Sequence, residues 1–412
     1  MEWKKHRLRD LALSIQTGPF GSQLHQADYS DSGIPVIMPK DMINGKVETN
    51  DIARVSDIHV QRLKRHKVKS GDIIYSRRGD VGRCSLITER EEGWLCGTGC
   101  LKVALDKSKC VPSFIAFILQ RKDSIGWVEN HAVGATMPNL NTGILSNLPL
   151  IIPTFEEQGR IASILSVYDN LIENNNKRIR LLEQMAENLY KEWFVRFRFP
   201  GHEKAEFENG LPKGWKTIHI KDITSLKSGY AFKSEWFTDD GCCVAKIKDI
   251  GNTIMDTSDF SYVDERNCLK AKRFILNEGD MTIALTGATI GKISIVPRYT
   301  KTIYTNQRLG KFFNGDKPIL KLPFLYCLFS QPQMTQMILN LSNSSSAQPN
   351  ISPEQIEGIK FIGNLNLIKE FNMRTWSLYK QILNLYYKNE TLSRQRDLLL
   401  PRLMSGKLEV KV

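Results

Sequence analysis

The chain has 412 residues, too many for one small fold and, at roughly 150 residues per domain, enough for two or three domains. Its residues are 41% hydrophobic, 25% charged and 9% aromatic, which excludes an intrinsically disordered chain and allows real cores. Lysine and arginine outnumber aspartate and glutamate by 57 to 44, and the net charge of +13 favours a polyanionic partner, nucleic acid or a membrane surface.

The opening MEWKKHRLRD carries no apolar stretch behind its basic start, which argues against a secretory signal. The apolar runs 114–119 and 322–329 are far shorter than the ~20 residues of a membrane span, so a cytoplasmic protein with no membrane partner is expected. The eight cysteines are scattered and read as reduced thiols, and no second pair at zinc-ligand spacing follows Cys96 and Cys100. Short apolar runs among glycine and proline, at 34–37, 72–75 and 148–152, predict strands and turns, with a compact helix near 114–120.

From Thr154 glycine nearly vanishes and proline is absent until Pro200. Ile161, Ile164, Leu165, Tyr168, Leu171, Ile172, Ile179, Leu182, Met185 and Leu189 recur at helical spacing, predicting one rod of about 40 residues, roughly 60 Å long. Thr154-Phe155-Glu156-Glu157 opens it as a capping box. Ile161, Tyr168, Asn175, Leu182 and Leu189 step by seven, the period of a coiled coil, and Asn175 in that seam is expected to set register. Residues 196–214, rich in proline, glycine and charge, read as a linker.

Beyond the linker the same text returns, roughly 210 residues later. Trp3-Lys4 and Leu8-Arg9-Asp10-Leu11 answer to Trp215-Lys216 and Ile220-Lys221-Asp222-Ile223. Thr17-Gly18 answers to Ser228-Gly229, and Lys40-Asp41-Met42 to Lys248-Asp249-Ile250. Gly71-Asp72 with Gly79, Gly82 and Arg83 becomes Gly279-Asp280 with Gly287, Gly291 and Lys292, and Pro138-Asn139-Leu140 becomes Pro349-Asn350-Ile351. A compact helix is predicted again near 324–331. Trp376, Tyr379, Ile382, Leu383, Tyr386, Leu392, Leu399 and Leu403 carry a second rod to the C-terminus. The fold class is therefore α+β: two tandem mixed domains, each followed by a long helix. If the rods run antiparallel, the two globes are related by a pseudo-twofold axis, as two protomers of a dimer would be. On a basic protein, two similar but unequal heads suggest a bipartite, asymmetric DNA site.

Phosphate contact needs lysine or arginine, and base readout needs polar side chains on exposed elements. The densest basic run, Arg62, Lys64, Arg65, His66, Lys67 and Lys69, is the candidate for backbone contact. Arg77, Arg78 and Arg83 in the first domain, and Lys246, Lys248, Lys292 and Arg308 in the second, are candidates beside turns; solvated surface charge is the competing reading for each. Phe20 and Phe232, in the matched glycine turns, are expected in the core, and the Pro-Asn pairs are assigned to the turn before the last strand. His25, His59 and His131 have no acids at catalytic spacing. No catalytic, cofactor or metal residues are assigned. Gly287-Ala288-Thr289-Ile290-Gly291-Lys292 is a residue short of a Walker A loop, with Ile293 where the magnesium-binding hydroxyl belongs, and is expected to be a strand-to-strand turn. Asp397 with Glu409-Val410-Lys411 mimics a nuclease carboxylate pattern without its strand context.

Certain longer motifs resemble those of the specificity (S) subunits of type I restriction-modification systems. They are Gly210-Leu211-Pro212-Lys213-Gly214-Trp215, Pro153 with Glu156-Glu157-Gln158 and Ile161, Leu189-Tyr190-Lys191-Glu192-Trp193-Phe194, and the C-terminal run from Leu400-Pro401-Arg402-Leu403 to Leu408. The resemblance covers the whole chain. It implies a first target recognition domain (1–153), a central long helix with the linker start (154–200), a linker and second target recognition domain (201–364), and a C-terminal long helix (365–412). It also implies an antiparallel coiled coil that spaces the domains and docks two modification (M) subunits, with Ile161, Leu165, Tyr168 and Ile172 as candidate interface residues. Restriction (R) subunits would complete the nuclease, and the M subunits would bring S-adenosylmethionine and methylate adenine. No Asn/Asp-Pro-Pro-Tyr/Phe motif for a flipped adenine occurs here, in keeping with a chain that only chooses the site on double-stranded DNA. A self-contained DNA-modifying enzyme and a coiled-coil adaptor without nucleic acid are the competing readings.

Overall fold

The structure, a computed structural model, describes residues 3–134, 138–342, 349–404 and 408. It forms two compact units, Met1–Asn170 with Ser393–Val412, and Leu171–Leu392. Each contains one mixed domain and a stretch of both long helices.

In the first unit the strand Lys4–Arg7 pairs antiparallel with Pro149–Ile152, so the beginning and end of the domain close on each other. A four-stranded antiparallel sheet runs in the order Ala12–Thr17, Cys100–Leu105, Ile73–Ser76, Cys84–Leu86. A second four-stranded sheet, ordered Leu95–Cys96, Ile34–Ile37, Arg54–Val55, Tyr29–Ser30, contains one parallel pair. The second unit repeats all three. Lys216–His219 pairs with Lys360–Gly363, and Ser225–Ser228, Leu309–Phe313, Met281–Ala284 and Ile293–Ile295 form the antiparallel sheet. The other sheet gains a fifth strand, Ile275–Leu276, beside Ile303–Thr305.

The compact helices form at Pro112–Leu119 and Leu322–Phe329, each with proline in the first turn, where its missing N–H is harmless. Five and seven of their residues are buried, in keeping with apolar runs too uniform to be amphipathic. The strands at 34–37, 72–75 and 148–152 are present within a residue or two of their expected bounds.

The first long helix is Phe155–Tyr190, continued by a π turn at Lys191–Val195, and the second is Leu365–Met404. In each unit they pack antiparallel. In the first, Asp169 meets Arg396 at 2.6 Å, and Ile161, Ala162 and Leu165 share one core with Leu403 and Met404. In the second, Asn175 Nδ2 donates to Asn389 Oδ1 at 2.8 Å and Asn389 Nδ2 to Asn176 Oδ1 at 2.8 Å. Asn175 and Asn389 are both buried, so these amides fix which residues face each other, the register role expected of Asn175. Leu171, Met185 and Trp376, read as part of the buried stripes, are instead exposed. The seam is narrower than the apolar set because two facing helices cover little more than every seventh and fourth position.

Two local expectations change. The linker contains a hairpin, Phe207–Glu208 with Leu211–Pro212, whose two-residue loop Asn209-Gly210 has φ of 51° and 78°. Asn-Gly is a favoured pair for a turn that needs both residues left-handed, and that signal was present in the sequence. Pro138-Asn139 and Pro349-Asn350 lead into short helices, Thr142–Ser146 and Pro353–Glu357, not directly into the last strands. Met137 and Gln348 lie outside the described residues. Among the described residues, no helix is long and apolar enough to cross a membrane.

Candidate nucleic-acid interface

At one end of the first antiparallel sheet the backbone is drawn together from four segments. Gly18 N donates to Cys100 O (2.9 Å), Arg77 N to Gly99 O (2.8 Å), Gly79 N to Pro138 O (3.3 Å) and Leu140 N to Arg77 O (2.8 Å). The second unit builds the same frame: Gly229 N to Leu309 O (2.9 Å), Leu285 N to Arg308 O (2.9 Å), Gly287 N to Pro349 O (3.0 Å) and Ile351 N to Leu285 O (3.0 Å). The frame requires glycine at one matched point. A Cβ on Gly18 would stand 2.1 Å from Gly97 O, and one on Gly229 2.3 Å from Thr305 O. The Gly287–Thr289 turn joins Met281–Ala284 to Ile293–Ile295, so the Walker-like segment is the strand-to-strand turn expected of it.

On this common frame the side chains differ. Position by position, Arg77 corresponds to Leu285, Arg78 to Thr286, Gly99 to Arg308, and Arg83 to Lys292. Arg77 donates to Asn139 Oδ1 (3.3 Å) and lies 5.6 Å from the Phe20 ring centre. Phe20 is therefore not a core residue: half of it is exposed, where it supports an arginine, whereas Phe232 is buried as expected. Arg83 is paired with Asp80. Among the described residues the side chains of Arg78, Lys292 and Arg308 make no ion pair, which leaves their charge available.

The basic run 62–69 lies elsewhere in the first unit and is held from beneath. Lys102, buried in the sheet, donates its Nζ to Arg65 O (3.1 Å) and Lys67 O (2.7 Å), while Gln16 Nε2 donates to Arg65 O (2.7 Å). Burial lowers the Lys102 pKa and raises that of nearby Asp72, each opposed by the other's charge. Lys64, Arg65 and Lys69 are exposed and Lys67 half-buried. Arg62 is tied to Asp28 Oδ2 (3.1 Å) and Gln23 O (3.0 Å), and His59 stands 3.8 Å from Asp28. The His25 amide, first, and then His59 and Arg62 hold the Asp28 carboxyl below its usual range. His66, inside the run, is buried; burial and the charges of Arg65 and Lys102 push it down to about 4.

Lys246 and Lys248 are less available. Lys246 Nζ sits 3.7 Å above the Phe237 ring, and burial, then Lys248, lowers its pKa. Lys248 Nζ bonds Asp259 Oδ2 (2.6 Å), which raises its pKa.

A basic run in the second unit was missed. Ile275 takes the place of Lys67: its carbonyl accepts from buried Lys311 Nζ (2.8 Å), which also pairs with buried Asp280 (2.6 Å). Counting back from that anchor, Lys270, Lys272 and Arg273 take the places of Arg62, Lys64 and Arg65, and all three are exposed. The repeat spacing carried this signal, but His66-Lys67 against Phe274-Ile275 hid it. On the helices, Ile161 and Leu165 are fully inside the first unit's core, and Tyr168 and Ile172 are half-buried. Cys96 and Cys100 are buried free thiols. The Glu409-Val410-Lys411 tail lies outside the described residues.

The family model described as Type I restriction modification DNA specificity domain matches residues 1–184 and 212–362. The chain is 24% identical, over all of its length and 94% of the other's, to the type I restriction enzyme MjaIX specificity subunit of Methanocaldococcus jannaschii. It is also 24% identical, over 99% of its length and 100% of the other's, to the type I restriction enzyme HindI specificity subunit of Haemophilus influenzae. In fold it is similar to the crystal structure of a type I restriction-modification S subunit from M. genitalium, with a TM-score of 0.61 at 20% identity, covering 98% of this chain and 96% of that one.

Proposed function

Because the chain belongs to the type I restriction-modification DNA specificity family, we propose that it is the non-catalytic subunit that chooses the site on double-stranded DNA, each unit reading one half of a bipartite, asymmetric sequence. The observation that carries this reading is the doubled backbone frame with unlike side chains. Two identical platforms give each half-site the same docking geometry, and the exchange of Arg77 for Leu285, Arg78 for Thr286 and Gly99 for Arg308 gives each platform a different set of groups to set against base edges.

Phosphate contact falls to Lys64, Arg65 and Lys69, exposed on the basic run, and to half-buried Lys67, with Arg78, Arg83, Lys292 and Arg308 beside the turns. Arg62, Lys246 and Lys248, held by Asp28, Phe237 and Asp259, position neighbouring groups. The helix pair docks two modification subunits. Ile161 and Leu165 hold the helices in place, and exposed Val167 and Leu398 in the first unit, and Leu181, Met185 and Met373 in the second, offer apolar surface to the partner. Methyl transfer to adenine and its S-adenosylmethionine belong to those partners, cleavage to restriction subunits, and the assembly works in the cytoplasm.

Co-expression with a cognate modification subunit, followed by single-molecule sequencing of host DNA for N6-methyladenine, tests this. The expected result is a split motif with unlike halves. Methylation by this chain alone would favour a self-contained enzyme, and absence of any DNA binding by the complex at low salt would favour the adaptor.

A further inference from the structure

The second unit carries an arrangement around Trp236 that the first does not. In the first unit Arg62 reaches Asp28, and a carboxylate cancels its charge. The pairing of Tyr29–Ser30 with Arg54–Val55, repeated by Phe237–Thr238 with Ser261–Val263, puts Trp236 in the place of Asp28. There Lys270 Nζ, which makes no ion pair among the described residues, lies 5.5 Å from the Trp236 ring centre; Lys233 Nζ lies 5.6 Å from the same ring and 3.8 Å from Glu235, while Tyr230 stacks on the indole at 6.3 Å and 15°. An indole attracts a cation through its quadrupole but leaves the net charge in place. Lys272 and Arg273 follow directly, exposed and without an ion pair among the described residues. The backbone beneath is pinned by buried Lys311 through Ile275 O and by Thr305 Oγ1 through Phe274 O (3.1 Å), so Lys270, Lys272 and Arg273 project from a fixed base.

We infer that Lys270, Lys272 and Arg273, with Lys233 beside Lys270 at the Trp236 ring, form a phosphate-binding arm of the second unit, the counterpart of the basic run at 62–69. The inference rests on the reading that this chain binds duplex DNA. Its ligand is the sugar-phosphate backbone flanking the second half-site. The sequence at matched positions drifts freely, His66 to Phe274 and Lys67 to Ile275, yet a cation is kept at all three of 62/270, 64/272 and 65/273.

The test is the salt dependence of DNA binding by the chain complexed with its modification subunits, read by fluorescence anisotropy on a duplex carrying the motif. Each phosphate contact contributes a slope of about 0.9 in log affinity against log salt. The triple variant K270A/K272A/R273A should lower that slope by about 2 to 3 and weaken binding equally on specific and unrelated duplexes. The charge-keeping variant K270R/K272R/R273K and the control K317A/K321A should both retain the slope of the unmodified chain. An unchanged slope in the triple variant, with the unmodified complex binding normally, overturns the arm alone. A complex with no salt-dependent binding to any duplex overturns the reading beneath it as well.

Discussion

His66 is 2% exposed between two cations, and with its pKa pushed down to about 4 it stays neutral at pH 7. In the unfolded chain the same imidazole titrates near its ordinary value of 6.5. Below that pH the unfolded state binds a proton that the folded state refuses, so this residue's contribution to stability is full above 6.5 and is lost as pH falls toward 4. Between pH 7 and pH 5 the first unit should lose about 2 kcal/mol more than a His66→Gln variant does, at about 1.4 kcal/mol per pH unit. Urea unfolding of both chains at the two pH values measures this, and parallel losses would contradict it. Single residues were the least legible level of the sequence. A run of cations at 62–69 announces itself, but whether Arg62 is free or held by Asp28 depends on a partner 34 positions away. Phe20 departs from the core placement its two neighbouring glycines suggest because Arg77 lies over its ring, a contact that no local pattern at 18–21 displays.

Elements were more legible, in proportion to their length. The long helices declare themselves through 3.6-residue periodicity sustained over tens of residues, whereas the linker hairpin rests on two residues, Asn209 and Gly210. The seam between the helices has a specific polar lock. Removing Asn175 leaves the buried Asn389 Oδ1 without the donor it has, and an unsatisfied buried acceptor costs about 1 to 3 kcal/mol. Asn175→Ala should destabilise the second unit by that amount. Asn175→Leu combined with Asn389→Leu should cost less than the two single changes added together, because both ends of the bond disappear at once. A double-mutant cycle by chemical denaturation reads the coupling, and strict additivity would count against the lock.

At the scale of the molecule the sequence repeat and the structural repeat are the same fact. The segments that recur in sequence are those that determine the backbone: Gly18 and Gly229 at close approaches, Asp72 and Asp280 beside the buried lysines, Gly79 and Gly287 opening the turns. They were legible because a frame tolerates few substitutes. The side chains set on that frame were not, since Arg77 and Leu285 satisfy the same backbone bonds equally well, and nothing local to either residue says which base, if any, it faces. This separation of frame from reading groups leads to the central claim, that the two units read independently. Exchanging residues 1–153 for those of a family member with a different target, then sequencing N6-methyladenine in DNA modified by the complex, tests it directly. The account predicts a new motif in which one half is replaced and the other is kept base for base; a change in both halves would contradict it.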